Sequence, residues 1–143
     1  MSSDSANLER FVEAQSGGVY DAALNELRAG RKVSHWMRFV FAQAVGLGHS
    51  QMSQRYAIAS RHEARRYLAH PVLGPRLVEC AHAVLTHPRR SARQIMGTPD
   101  DMKLCSSMTL FALVADSEPV FQQVLDTYFA GEHDPQTLQH VNS

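Results

Sequence analysis

A chain of 143 residues, 44% apolar and 20% charged, is long enough to bury one core and too apolar to stay disordered. Fourteen basic and fourteen acidic side chains cancel. That balance argues against non-specific duplex nucleic-acid binding, because a neutral protein gains little from counterion release. The longest clean apolar run, Leu110 to Ala115, is far short of the ~18 residues of a membrane span.

The opening Met-Ser-Ser-Asp-Ser is polar and carries no basic segment followed by an apolar one, so no secretory signal is expected. Leu8, Phe11 and Val12 form an apolar stripe that stops at Gly17-Gly18. Tyr20, Ala23, Leu24 and Leu27 form a second, closed by Gly30. In Ser34–Gln43, Met37, Phe39 and Phe41 alternate as in a strand, whereas Trp36/Val40 and Met37/Phe41 pair as in a helix; the expectation leans to helix. Gly46–Ser50 reads as a loop. Ser60 with Glu63 is a capping-box pattern opening a helix to about Ala69. Leu73, Leu77, Ala81, Val84 and Leu85 mark a longer helix ending near His87-Pro88. Ser91 with Gln94 is a second capping box, with Gly97 as its C-cap. Thr98-Pro99-Asp100-Asp101 reads as cap, first-position proline and first-turn acids of a helix that ends before Asp116. Ser117-Glu118-Pro119 starts another, with Phe121, Val124, Leu125 and Tyr128 on one face and Gly131 closing it; Asp134-Pro135 begins a last short turn. The expectation is one all-α or mainly α domain over residues 1–143. It has six to eight helices, a core of about 7–140, and flexible tails at 1–6 and 141–143.

Charge is unevenly spread. Residues 1–27 hold one Arg and five acids (−4), residues 28–103 thirteen Lys/Arg and four acids (+9), and residues 104–143 five acids and no base (−5). Twelve of the basic residues are Arg, whose fork suits phosphate and carboxylate. Either the basic centre holds an anionic ligand, or the acidic termini pack beside it and neutralise it.

Several chemistries lack their spacing. His82 and His87 do not align on one helix face, no H-E-x-x-H is present, and Cys80 and Cys105 match neither metal nor redox spacing. No metal and no cofactor is expected, and the cysteines read as reduced thiols of a cytoplasmic protein. Gly46-Leu47-Gly48 is not a dinucleotide fingerprint, and no G-x-S-x-G elbow occurs. Two constellations remain. Asp100, Lys103 and Ser107 share a helix face with Ser106 beside it, on an otherwise apolar helix; they form either a cleft wall or an internal polar stripe around an ordinary ion pair. His35-Trp36, followed by Phe39 and Phe41, places a titratable ring among aromatics, either to serve a nucleotide base or to fill the core. Arg55-Tyr56 offers a cation and a ring in the same way.

Ser34–Gln43, Arg55–Ile58, Tyr67–Leu77 and Asp100–Phe111, together with L-E-R-F-V-E-A-Q and V-Y-D-A-A-L-N-E-L-R-A-G near the start, resemble the bacterial family called domain of unknown function 1810 over roughly residues 7–140. That family often carries the label calpastatin, a disordered inhibitor that this globular composition does not match. It distantly resembles the mostly helical YbiA-like or NADAR group, associated with N-glycosidic chemistry on ADP-ribose-linked guanine or riboflavin-pathway intermediates. The resemblance implies a helical fold and a nucleotide-sugar ligand. Two positions depart from the family pattern: Arg38 stands where tryptophan is usual and Ala42 where proline is. The Ser-His-Trp string also offers no Glu where the NADAR group's Glu-His pair would fall.

Three functions follow. One is an N-glycosidic-bond hydrolase with Asp100 or Asp101 as carboxylate and His35 as proton donor. Lys103 and Arg55 would hold phosphate, Trp36 would stack on the base, and Arg38, Phe41, Gln43, Tyr56, Ser106 and Ser107 would complete the ligand site. A second is a non-catalytic sensor of an anionic nucleotide-like molecule in the same pocket. The third is a protein-interaction domain with no small ligand. The sequence fixes no oligomeric state.

Overall fold

Apolar stripes at helical spacing become helices wherever the opposite face stays wet, and most of this chain follows that rule. The computed structural model describes residues 3–141. In chain order they form α1 (Ser3–Ala14), α2 (Val19–Arg28), α3 (Met37–Val40), β1 (Gln43–Ala44), α4 (Gln51–Arg55), β2 (Ala57–Ile58), α5 (Arg61–Ala69), α6 (Leu73–Leu85), α7 (Ala92–Met96), α8 (Asp100–Val114), α9 (Val120–Tyr128) and α10 (Pro135–Val141). The fold is mainly helical. No helix among the described residues is long and apolar enough to cross a membrane. Of the tails expected at 1–6 and 141–143, residues 1–2 and 142–143 lie outside the described residues. α1 already begins at Ser3, and Val141 is buried in α10.

Helix α8 is the hub. It packs against α5, α7, α9, α10 and β1, while α6 packs against α2, α5 and α9. An aromatic series runs through the core, each ring meeting the next at close range: Phe11 to Tyr67 at 5.2 Å, Tyr67 to Phe111 at 5.2 Å and Phe111 to Phe121 at 5.8 Å. These rings come from α1, α5, α8 and α9, so one line of packing joins elements distant in sequence. Gly74, near the start of α6, lets that helix cross α5 closely: a Cβ there would lie 2.0 Å from the Leu68 carbonyl oxygen.

Local end signals hold well. Ser91 and Gln94 form both arms of a capping box at α7, and Gly97 follows as its C-cap. At α5, the Ser60 hydroxyl accepts from the Glu63 amide at 3.1 Å. The Glu63 carboxylate, however, reaches past the cap to the Ala59 amide at 2.7 Å. At α8 the start falls one residue later than the sequence suggests. Pro99 is the N-cap, and Thr98 donates to Asp101 at 3.2 Å instead of capping the helix.

Three features differ from expectation. Ten helices occur among the described residues, because the chain breaks some stretches into short pieces. Ser34–Gln43 is one four-residue turn of helix leading into β1, since Trp36, Met37, Val40, Phe41 and Ala42 are all buried and the few partly exposed residues between them set no period. β1 pairs with β2 in parallel, Gln43 opposite Ala57 and Ala44 opposite Ile58, a contact across a loop that periodicity does not announce. Arg10 of α1 braces this pairing, donating to the carbonyls of Arg55 at 2.7 Å and Ala57 at 2.8 Å.

Candidate functional site

The segment between α2 and α3 owes its shape to one carboxylate. Glu26, near the end of α2, accepts from the amides of Val33 at 2.7 Å and Ser34 at 2.9 Å. It also accepts from the Trp36 indole at 2.9 Å and from the Ser34 hydroxyl. Partial burial pushes this carboxyl up, but the bonds from Ser34, Val33 and Trp36 outweigh it and hold the group at about 2. Four donors on one carboxylate fix residues 33–36 against α2.

Lys32 then fastens the same segment to the opposite wall. Its amide donates to Ile95 of α7 at 2.7 Å. Its ammonium donates to the Ser34 carbonyl at 2.6 Å and lies 2.9 Å from one oxygen of Asp100. Lys103, one turn along α8, lies 3.4 Å from the other oxygen. Asp100 stands at the N-terminal end of α8, where a negative charge complements the helix dipole. Lys32 is almost enclosed, its side chain 7% exposed, while Lys103 is 27% exposed.

A cleft of about 220 Å³ opens above this cluster. Lys32, Asp100 and Lys103 form one side; His35, Arg38 and Phe39 bring the segment around α3 to the other, and Met52 of α4 closes an edge. The cleft is small beside the ~300–1,000 Å³ of a typical ligand pocket. It matches a sugar-phosphate fragment better than a whole dinucleotide.

The structure brings together His35, Arg38, Asp100 and Lys103 of the residues singled out in the sequence, with Trp36 behind them. Trp36 is 1% exposed and its indole N–H is taken by Glu26, so its ring is embedded in the core instead of offering a face to a base. Phe41 is fully buried, 6.1 Å from Trp36. Gln43 and Tyr56 meet Arg38 in a smaller recess beside the cleft. Arg55 is exposed and lies over Tyr56 at 5.5 Å, away from the cleft lining. Asp101 is occupied by Thr98 and by the Met102 amide at 2.9 Å. The expected polar stripe divides after one turn. Ser106 donates to Asp134 at 2.9 Å, and Ser107 is fully buried where α8 is covered by its neighbours.

Sequence reasoning missed Lys32, Glu26 and Met52. For Lys32 a signal existed: the chain has two lysines, Lys32 and Lys103, and both sit on Asp100. The loop at Gly46 is a packing turn: a Cβ there would lie 2.6 Å from the His140 ring. Among the described residues no group of three or more His, Cys, Asp or Glu is placed to hold a metal ion. Cys80 is a free thiol, pushed up to about 12 chiefly by burial, and Cys105 is a half-buried free thiol raised in the same way.

Fold and site together describe a small, mainly helical protein whose cleft is rimmed by cations around one carboxylate. The family of proteins of unknown function known as DUF1810 matches residues 5–141, and the chain belongs to it. It is also similar to the conserved hypothetical protein Rv1873 from Mycobacterium tuberculosis. The two share 49% identity over 96% of this chain and 97% of that one, and their structures superpose with a TM-score of 0.93. No curated protein matches the sequence.

Proposed function

We propose that the cleft binds a phosphate-bearing, nucleotide-like small molecule and cleaves an N-glycosidic bond in it. The supporting observation is the pairing of Lys32 and Lys103 with the Asp100 carboxylate in a cleft of sugar-phosphate size that Arg38 also lines. Lys103 and Arg38, the more accessible cations, hold phosphate. Lys32, enclosed and bonded to Ser34, keeps Asp100 oriented. The carboxylate faces the positive charge that develops at the anomeric carbon as the base departs, and water adds to that carbon in place of the base, losing its proton to solvent. His35, exposed on the rim, supplies the proton that the leaving base needs.

The test combines binding and product analysis with ADP-ribose, NAD and AMP. A ligand at 100 times its Kd stabilises by about 2.7 kcal/mol, which moves the melting point of a domain this size by ~5–11 °C. Wild-type protein is expected to show such a shift and to release free base. Asp100→Asn is expected to keep the shift and lose turnover by at least a hundredfold. No shift with any of the three, or full turnover by Asp100→Asn, refutes the reading.

One observation favours a second reading, a sensor that binds without turnover: both Asp100 oxygens are already engaged by lysines. In that case the ligand shifts the melting point and is recovered intact.

A further inference from the structure

The recess beside the cleft carries an arrangement that packing alone does not explain. β1 buries Gln43 to 8% exposure, yet no group among the described residues bonds to its carboxamide nitrogen. Such a donor lowers stability unless something accepts from it. Gln43 lines the recess with Arg38, Gly48, Ser53 and Tyr56, and the free space is about 10 Å³, the room of one water-sized atom. Ser53 is already committed, its hydroxyl donating to the Ser50 carbonyl at 2.8 Å. Arg38 lines both the recess and the cleft and forms no ion pair among the described residues. Two side chains that carry donors therefore line one atom-sized space, and one of them, Arg38, also lines the proposed ligand site. Gly48 sits close over it, since a Cβ there would lie 2.8 Å from the Ser53 side chain and 3.8 Å from Arg38 Nη1.

We propose that this recess is the recognition subsite for a single phosphate oxygen of the ligand, which accepts from the Gln43 carboxamide and the Arg38 guanidinium together. The inference rests on the reading of the cleft as a phosphate site. It goes further by naming the atom that the protein selects: a charged, unprotonated acceptor oxygen, bound where a hydroxyl or amine of similar size carries no charge and brings a hydrogen of its own toward two donors. Charge-assisted bonds of this kind are short and directional, and a guanidinium offers the fork that a phosphate requires.

The experiment compares ribose 5-phosphate with ribose by calorimetry on the full chain. Wild-type protein is expected to bind the phosphorylated probe and not ribose. Gln43→Met keeps the length and removes the donor; Gln43→Glu keeps the shape and turns an oxygen toward the phosphate. Each is expected to weaken ribose 5-phosphate binding by about tenfold to a hundredfold. The Gln43→Met melting point should be unchanged or raised, because an unmet buried donor is gone. Arg38→Lys, a more accessible change, keeps the charge and loses the fork, and is expected to cost about tenfold; it serves if a Gln43 variant does not fold. Lys103→Gln separates the two claims. If it weakens binding while both Gln43 variants and Arg38→Lys bind like wild type, the subsite is overturned and the cleft reading stands. If wild-type protein binds neither probe, the cleft reading falls and the subsite with it.

Discussion

Removal of the Glu26 carboxylate is the sharpest test of how the site is held. Glu26→Ala strips four hydrogen bonds at once, from two amides, a hydroxyl and the Trp36 indole. The amides of Val33 and Ser34 lie near the surface and regain water, so their loss is partial. The indole belongs to a side chain 1% exposed, and a buried donor without a partner costs ~1–3 kcal/mol. Adding the charge-assisted bonds, without assuming additivity, gives about 3 kcal/mol, or a fall of ~6–12 °C in melting point. Glu26→Gln keeps an acceptor for the indole and amides and loses the charge. Water reaches this carboxylate, so the electrostatic part is discounted to about 1 kcal/mol. The sign follows from a carboxyl lowered from 4.5 to about 2: its contribution is complete above pH 4.5 and disappears as the pH falls toward 2. Urea unfolding of wild type, Glu26→Gln and Glu26→Ala at pH 7 and at steps down to pH 3 measures all three terms. A Glu26→Ala loss below 1 kcal/mol, or a wild-type advantage over Glu26→Gln that grows on acidification, refutes the reasoning.

Three further outcomes are expected. Gly74→Ala drives a methyl to within 2.0 Å of the Leu68 carbonyl and should cost about 3 kcal/mol by denaturant midpoint; a cost below 1 kcal/mol would mean that α5 and α6 separate easily. Ser107→Ala removes a fully buried hydroxyl with no hydrogen-bond partner among the described residues, so its melting point should equal or exceed that of wild type; a fall of several degrees would reveal a partner. Cys80, fully buried and raised to about 12, should resist a thiol reagent at pH 8 until the protein unfolds, and rapid native labelling of Cys80 in a Cys105→Ser variant would contradict that enclosure.

The helix ends were legible where their cause is local. Ser91 and Gln94 reach each other across one turn, and the run Phe121, Val124, Leu125 faces inward because the rest of α9 faces water. The stretch from Trp36 to Ala42 was not legible, for five of its seven residues are buried and only Arg38 and Phe39 reach the cleft, too few to set a period. The β1–β2 pairing and the Lys32–Asp100 contact join residues far apart in the chain, which no spacing rule reaches. At the site, the Asp100–Lys103 pair was readable from one helical turn. The roles of Ser106 and Trp36 were decided by Asp134 and Glu26, partners that helical spacing does not select. Arg38 and Gln43 fall into one recess because α3 ends early and β1 begins, a backbone event set by burial.

The pairing of both lysines with one aspartate has a practical consequence. Apart from the terminal amine, every primary amine of this chain lies at the cleft. An amine-directed reagent therefore becomes a probe of that one place. Lys103 should label first and Lys32 slowly, in keeping with their side-chain exposures of 27% and 7%. Acylation of either removes a charge beside Asp100 while leaving the twelve arginines untouched. Occupancy of the cleft can thus be followed by mass spectrometry as protection of two known residues, with no substitution and no knowledge of the ligand.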